Sequence, residues 1–193
     1  MSSGKPTVPK RDAAHFDHLA GQIGLPSSRL IVIRGSSGSG KSSVAAAIRA
    51  SRPDRTVAVV GQDMMRREVL GTGDDLAGHA TGLIDLTTRY ALRRGFDVIV
   101  EGILNADWYS ETLLRLVEDH RGTSRCYLYD VSFEETVRRH ASKSVADSFG
   151  QVEMRKWWRG CQPVEGLDEA VVTEIETLDS TVTRILRDCW PVS

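Results

Sequence analysis

Short runs of apolar residues alternate with amphipathic stretches along most of the chain, starting near residue 29. Apolar, β-branched runs of four to eight residues predict strands, and apolar residues spaced three or four apart predict helices. The predicted strands are 30–33, 56–60, 97–100, 125–129 and a short run near 171–172. The predicted helices are 43–50, 79–94, 107–120, 133–142, 151–159 and 178–189.

Several residues mark the expected ends of these helices. Gly95 follows a long helical pattern and is typical of the position just after a helix. Asp107 is the predicted N-cap of the helix that runs to residue 120. Ser132 and Glu135 fit a capping box at the start of the next helix.

The strand and helix pattern predicts an α/β fold. Strands that are apolar throughout and separated by helices form a parallel sheet covered on both faces, because each crossover places a helix over the sheet. We therefore expect a three-layer α/β/α sandwich with about five parallel strands. The 193 residues suit one domain. We assign 29–193 to it and 1–28 to an N-terminal extension that includes a short helix over 13–23.

Composition and charge narrow the classes of function. Hydrophobic residues make up 40% and charged residues 26% of the chain, which is ordinary globular usage and excludes wholesale disorder. The formal net charge of −1 does not favour nucleic acid as a partner. No apolar run approaches the roughly 20 residues of a membrane span. The N-terminal residues do not resemble a secretory signal, so we expect a cytoplasmic protein with reduced, mostly packed cysteines.

The most specific motif is a glycine-rich segment that follows the first predicted strand and precedes a helix. Residues 35–42 satisfy GxxxxGK[ST], the phosphate-binding P-loop. Glycines allow backbone N–H groups to surround phosphate oxygens, and the helix N-terminus adds partial positive charge. The alternative is a flexible Gly/Ser turn. The predicted nucleotide-binding residues here are Gly35, Ser36, Ser37, Gly38, Ser39, Gly40, Lys41, Ser42 and Ser43.

A P-loop predicts ATP and Mg²⁺ as cofactors. Lys41 is expected to contact the β- and γ-phosphates, and the Ser42 hydroxyl to bind Mg²⁺. The chain has no NKxD element of GTPases and no LSGGQ-like signature, and it is short for an AAA+ motor module. Small phosphotransferases remain.

Four segments resemble the P-loop kinases of small molecules, namely IVIRGSSGSGKSS, VVGQDMMRREVLG, VIVEGIL and YLYDVSFEETVRRHASK. The resemblance covers about residues 29–189 and is strongest to bacterial P-loop kinase-like, AAA-type ATPase-like proteins. It is more distant to chloramphenicol phosphotransferase, zeta-toxin kinases and gluconate kinase. It implies ATP-dependent phosphorylation of a hydroxyl on a small molecule such as an antibiotic or aminoglycoside, a nucleoside or a sugar.

The resemblance also implies roles for two carboxylates. Asp63 lies just after the second predicted strand, where these kinases place an aspartate that orients or deprotonates the acceptor hydroxyl. Phosphoryl transfer is largely dissociative, so an ordinary carboxylate suffices as base. Asp63 is alternatively the N-cap of a helix predicted over 64–70. Glu101 ends a strand where many P-loop proteins carry a Mg²⁺-shell aspartate, and we assign it to metal or substrate binding, with a strand-end cap as the alternative.

Basic residues are the remaining candidates. Arg66 and Arg67 are predicted to bind substrate, or else to be solvated surface charge. Arg139 and Lys143 share one helix face in a predicted lid over about 138–160, where they are expected to contact the γ-phosphate; the alternative is a face paired with Glu134 and Glu135. Arg155 is a second lid candidate and a candidate substrate contact.

Weaker signals concern aromatic residues, histidines and a loop. Adjacent Trp157 and Trp158 point to different helix faces, so we expect at least one in the core and the other near an acceptor ring. No metal-ligand spacing links the histidines, which are expected at the surface or at caps: His79, His120 and His140. The glycine-rich segment 71–78 is predicted to be a loop near the acceptor.

Three other functions stay open at this point. They are a zeta-toxin-like kinase of a nucleotide sugar, a nucleotide-binding regulatory module without transfer, and a polynucleotide 5′-kinase. The last lacks a basic stripe.

Overall fold

The computed structural model describes residues 21–73, 79–141 and 150–191. Lys143, most of the helix predicted over 13–23 and most of the loop predicted over 71–78 lie outside these residues.

Five parallel strands form the sheet, as predicted. They are β1 (Arg29–Gly35), β2 (Val57–Gly61), β3 (Asp97–Gly102), β4 (Thr123–Asp130) and β5 (Glu169–Thr173). Their order across the sheet is β2-β3-β1-β4-β5, and every neighbouring pair is parallel. The crossovers bring the carboxyl ends of β2, β3 and β1 to one edge, where ligands bind in open α/β sheets.

Six α-helices and one π-helix are described. They are α1 (Lys41–Ala50), α2 (Ala80–Arg93), α3 (Ala106–Asp119), α4 (Phe133–Ala141), α5 (Gln151–Trp157) and α6 (Leu178–Cys189), with a π-helix over Met64–Val69 between β2 and α2. Their positions agree with the predicted helices to within about two residues at most ends. The helix predicted over 64–70 is a π-helix rather than an α-helix.

Helices cover both faces of the sheet, which confirms the three layers. Side chains alternate between faces along a strand. Leu30 therefore packs in a buried cluster that includes Ile84 of α2. Its neighbour Ile31 packs in a second cluster with Val44 of α1 and Ile185 of α6. Burial of each such aliphatic side chain contributes about 1.5–3 kcal/mol.

Two predicted helix caps were wrong. The N-cap of α3 is Asn105, whose Oδ1 accepts a hydrogen bond from Asp107 N at 2.9 Å. Asp107 lies in the first turn of the helix, where a carboxylate favours the helix dipole. The capping box at α4 is incomplete, because the Glu135 carboxylate binds Arg138 and Arg139 instead of the cap.

A buried ion pair lies directly before the P-loop. Arg34 Nε donates to Glu169 Oε1 at 2.5 Å, and the two side chains are 2% and 4% exposed. Arg34 also donates to the backbone oxygens of Leu104 and Gln162. The pair joins β1, β5 and two loops, so it fixes the strand that ends in the P-loop.

His120 is buried, which corrects its expected surface or capping position. It is 7% exposed, and its ring nitrogens lie 2.9 Å from Ser28 Oγ and 2.9 Å from Ser124 Oγ. His140 is also 7% exposed, whereas His79 is exposed as predicted.

The described cysteines are unpaired thiols, of which Cys126 and Cys189 are buried and Cys161 is exposed. Burial raises the pKa of Cys126 to about 12. Within the described ranges, no helix combines the length and hydrophobicity that a membrane crossing needs.

Candidate active site

The P-loop connects the end of β1 to the start of α1 and is enclosed by α4 and α5. Gly38 has a φ of 79°, and a Cβ placed on it would lie 2.7 Å from Thr136 O and 2.9 Å from Met154 Cε. Only glycine accepts both the left-handed backbone and this close approach. The loop shape therefore depends on a glycine that the motif requires and on helices that the motif does not specify.

The first turn of α1 is open to an anion. Its N-cap is Gly40, which supplies no side-chain cap, and the first turn holds no acidic residue. Lys41 is only 6% exposed, and its Nζ donates to Ser36 O at 2.7 Å and Ser39 Oγ at 3.1 Å. The ammonium thus lies inside the loop, beside the N–H groups that a phosphate would bind. These residues fit the polyphosphate of a nucleotide.

Ser42 and Glu101 come together from separate elements. Ser42 Oγ donates to Glu101 Oε2 at 3.0 Å, so the end of β3 meets the first turn of α1. A hydroxyl and a carboxylate next to a phosphate site are the hard oxygen ligands that Mg²⁺ prefers. The pair fits the predicted metal site, with phosphate oxygens and water completing the shell. No cluster of three or more His, Cys, Asp or Glu side chains suited to a metal occurs among the described residues.

Arg139 contacts the P-loop from α4. Its Nη1 donates to Ser39 O at 2.8 Å, its Nε to Glu135 Oε1 at 2.7 Å, and its Nη2 to Glu174 O at 3.1 Å. Hydrogen bonds from Arg138 and Arg139 lower the pKa of Glu135 to about 2. Both readings of this face therefore contain truth: it is paired with an acid, and it places one guanidinium at the loop.

Arg155 occupies a different place from the predicted substrate contact. Its guanidinium lies over the rings of Phe133 and Trp158, at 4.6 Å and 5.6 Å from their centres. Trp158 also packs edge-to-face on Phe133. Arg155 thus joins α4 to α5 outside the lining of the cleft described next, and its role toward substrate stays a prediction.

A cleft of about 140 Å³ opens beside the P-loop, which contributes Ser37 to its wall. The carboxyl end of β2 and the π-helix contribute Gln62, Asp63, Arg66 and Arg67. The cleft lies where the acceptor of a P-loop kinase was expected, and it gathers three of the predicted substrate residues. Glu101 lies nearby, since a Cβ on Gly61 would be 3.0 Å from its Oε1.

Asp63 projects into this cleft rather than capping a helix. Its side chain is 68% exposed and makes no capping hydrogen bond, so the N-cap alternative is wrong. Arg66 Nη2 donates to Asp63 Oδ1 at 3.2 Å, and Arg67 Nε lies 3.7 Å from the same oxygen. The two arginines hold a carboxylate at the mouth of the cleft. The backbone turns here as a π-helix, a form found often at functional sites.

Gln62 is a residue of the site that the sequence analysis missed. It is 5% exposed, and its Oε1 accepts hydrogen bonds from Ile103 N at 2.9 Å and Leu104 N at 3.3 Å. Its Nε2 donates to Tyr109 Oη at 3.2 Å. Burial is the largest influence that raises the pKa of Tyr109. Gln62 therefore fixes the loop after β3 against the segment that carries Asp63.

The close contact of Gln62 with its neighbours could have been suspected from one signal. Gly102 follows the predicted strand end, and a Cβ there would lie 2.4 Å from Gln62 Cβ. A glycine at a strand end often marks such a close approach.

The wall of the cleft opposite the π-helix comes from two other elements. Asn105 and Trp108 lie at the start of α3, and Lys156, Trp157 and Arg159 lie at or just after the end of α5. Trp157 lines the cleft while Trp158 packs on Phe133, which agrees with the prediction that the two rings separate.

Comparison with protein families gives one match over most of the chain. A family model described as an AAA domain matches residues 30–164, which include the P-loop, Asp63, Glu101 and Arg139. The chain belongs to this AAA domain family. No curated protein matches the sequence of this AAA domain protein.

Solved structures share the fold of this AAA domain at low sequence identity. The APS kinase of Mycobacterium tuberculosis, solved with AMPPNP and APS, is 17% identical with a TM-score of 0.67, over 84% of this chain and 97% of that one. A gluconokinase from Sinorhizobium meliloti 1021 is 20% identical with a TM-score of 0.59, over 86% and 93%. The tunicamycin resistance protein of Deinococcus radiodurans is 14% identical with a TM-score of 0.56, over 86% and 97%. The resemblance to P-loop kinases is confirmed at the level of the fold.

Proposed function

We propose that this AAA domain protein is a kinase that transfers the γ-phosphate of ATP to a hydroxyl of a small molecule. The observation that carries the proposal is the position of one cleft. It shares a wall with the P-loop at Ser37 and places Asp63 at its mouth. A nucleotide switch has no need of an exposed carboxylate held in a separate cleft beside its phosphate site.

The fold neighbours support the same reading. The APS kinase and the gluconokinase are both kinases, and the first was solved with AMPPNP and APS. Residues of this chain that match the P-loop pattern bind the phosphates: Lys41, the backbone from Gly35 to Ser42, and Arg139 from α4. Arg139 stands where a guanidinium can stabilise charge on the transferred group.

Ser42 and Glu101 are the residues that would hold Mg²⁺. When bound, the ion neutralises charge on the β- and γ-phosphates. Asp63 orients the acceptor hydroxyl and takes its proton as the oxygen bonds to the γ-phosphorus. The bond between that phosphorus and the bridging oxygen breaks, and ADP leaves. Arg66 and Arg67 keep the Asp63 carboxylate in place for this step.

The acceptor class follows from the same cleft. Antibiotics, nucleosides, sugars and related hydroxylated metabolites are the groups we propose to screen. The assay measures ADP formed from ATP and Mg²⁺ over such a panel, followed by mass detection of a product heavier by one phosphate group. We expect at least one compound to form such a product.

Two variants separate transfer from background hydrolysis. Lys41→Ala removes the ammonium inside the loop and should abolish formation of the product with every compound. Asp63→Asn keeps the shape of the side chain but cannot accept a proton, so kcat should fall by about 10²–10⁴ with little change in ATP binding. Undiminished turnover by Asp63→Asn would contradict the assignment of the base.

A further inference from the structure

The cleft beside the P-loop has a strongly unbalanced charge. Among its described lining residues, four are cationic and one is acidic. The cations are Arg66, Arg67, Lys156 and Arg159, and the acid is Asp63. The whole chain has a formal net charge of −1, so this balance is a property of the cleft and not of the protein surface in general.

The cations converge from two elements that are far apart in sequence. Arg66 and Arg67 belong to the π-helix after β2, while Lys156 and Arg159 belong to the end of α5 and the residues after it. Like charges brought together by folding repel one another, which costs stability unless an anion joins them. A collection of this kind at a ligand cleft indicates an anionic ligand.

Arg66 is the deepest of these cations. Its side chain is 5% exposed, and Nη2 donates to Asp63 Oδ1 at 3.2 Å. Burial of a guanidinium costs several kcal/mol of hydration. Arg67 is 43% exposed and lies on the other side of the same carboxylate. One carboxylate thus faces two guanidinium groups, and an acceptor anion would complete the charge balance.

Two indole rings border the same space. Trp108 is 50% exposed although it lines the cleft, and Trp157 lies with its ring centre 6.0 Å from the Arg67 guanidinium carbon. Exposed indoles at a pocket supply flat contact area for the apolar face of a ring. The volume of about 140 Å³ is close to that of a cavity of about 150 Å³ that holds one benzene molecule.

We propose that the acceptor is a compact anion: one ring-sized, hydroxylated group that carries a carboxylate, sulfate or phosphate. The proposal rests on the kinase function proposed above. Arg66, Arg67, Lys156 and Arg159 bind the anionic group, and Trp108 and Trp157 contact the ring. The same cations repel aminoglycosides, which are polycations, so the cleft discriminates against that class of acceptor.

The test compares acceptors that share a scaffold and differ in charge. The panel contains triplets such as D-glucuronate, D-glucose and D-glucosamine, one anionic, one neutral and one cationic member for each ring. We expect the anionic member of a triplet to exceed the others in kcat/KM by at least tenfold. Equal or better turnover of a neutral or cationic member would overturn this proposal and leave the kinase function intact.

Variants locate the effect in the cleft. Arg67→Gln and Lys156→Gln each remove one charge-assisted contact, so KM for the anionic acceptor should rise about tenfold or more while KM for ATP stays the same. Lys156→Arg should restore the lower KM. The matched control is Arg115→Gln on α3, whose side chain is exposed and paired with Glu111. Unchanged KM in both cleft variants would also overturn the proposal.

A binding measurement decides the case in which no panel member is phosphorylated and the kinase proposal fails. Sulfate is titrated into the protein with the P-loop saturated by AMPPNP and Mg²⁺, and tryptophan emission is recorded. We expect saturable binding that weakens in Arg67→Gln and Lys156→Gln but not in Arg115→Gln. Absence of such binding would reject the anion site itself.

Discussion

Acidification should destabilise the fold through His120, a residue remote from the candidate active site. Burial lowers the pKa of His120 from 6.5 to about 4, Arg29 lowers it further, and Asp97 opposes the shift. Ser28 Oγ donates to Leu25 O at 2.7 Å, so its proton is already used. His120 Nε2–H then donates to Ser28 Oγ, and Nδ1 accepts from Ser124. This network fits a neutral imidazole.

The magnitude follows from the two pKa values. Between pH 6.5 and pH 4 the unfolded state binds a proton at this site and the folded state does not, so the free energy of unfolding falls as the pH falls. The contribution is nearly complete at pH 7 and is lost through the window from 6.5 down to about 4. Integration between pH 7 and pH 5 gives a loss of about 2 kcal/mol. That corresponds to a Tm decrease of about 4–8 °C for a chain of this size.

Urea unfolding followed by circular dichroism at pH 7, 6 and 5 measures this loss. The comparison is between wild type and His120→Gln, which cannot take up the proton, with exposed His79→Gln as the control. Carboxylates titrate alike in all three proteins, so their contribution cancels in the difference. We expect the wild type and His79→Gln to lose about 2 kcal/mol more than His120→Gln. Parallel pH profiles for wild type and His120→Gln would refute the reasoning.

Three further changes test the architecture of the P-loop and its surroundings. Gly38→Ala forces a left-handed alanine against Thr136 O; we expect a loss of at least 1–2 kcal/mol in stability and weaker AMPPNP binding by calorimetry, whereas Gly71→Ala, with open space around it, should leave AMPPNP binding unchanged. Glu169→Gln leaves Arg34 buried without its ionic partner, so urea unfolding should show a loss of about 3–5 kcal/mol, and a loss under 1 kcal/mol would contradict the role of the pair. Arg139→Ala should lower kcat by about 10²-fold or more with a smaller change in KM for ATP, and an unchanged kcat would remove Arg139 from the transfer step.

The sheet and the phosphate site could largely be predicted from local sequence. Strand and helix patterns depend on the spacing of apolar residues within ten to fifteen positions, and β1, α1, β3 and α6 were found this way. The P-loop is contiguous, so Lys41 and Ser42 are placed by the motif itself. The approach of Glu101 to Ser42 also follows, because parallel strands end at one edge.

Cap assignments were less reliable because several side chains compete for the same backbone groups. Asn105 and Asp107 are both good N-cap residues, and the loop after β3 decides that Asn105 takes the position. Glu135 was expected to complete a capping box, but two neighbouring guanidinium groups bind its carboxylate more strongly.

The contents of the acceptor cleft were beyond local pattern. Arg66 and Lys156 are ninety positions apart, and each looks like surface charge when read alone. Gln62 appears as an ordinary polar residue until the loop after β3 folds onto it, and His120 is buried only because the 23–28 segment covers it. Local spacing determines strands, helices and a contiguous phosphate loop, since these depend on near neighbours. The burial of a charge and the company it keeps depend on contacts between distant segments, and only the tertiary structure decides them.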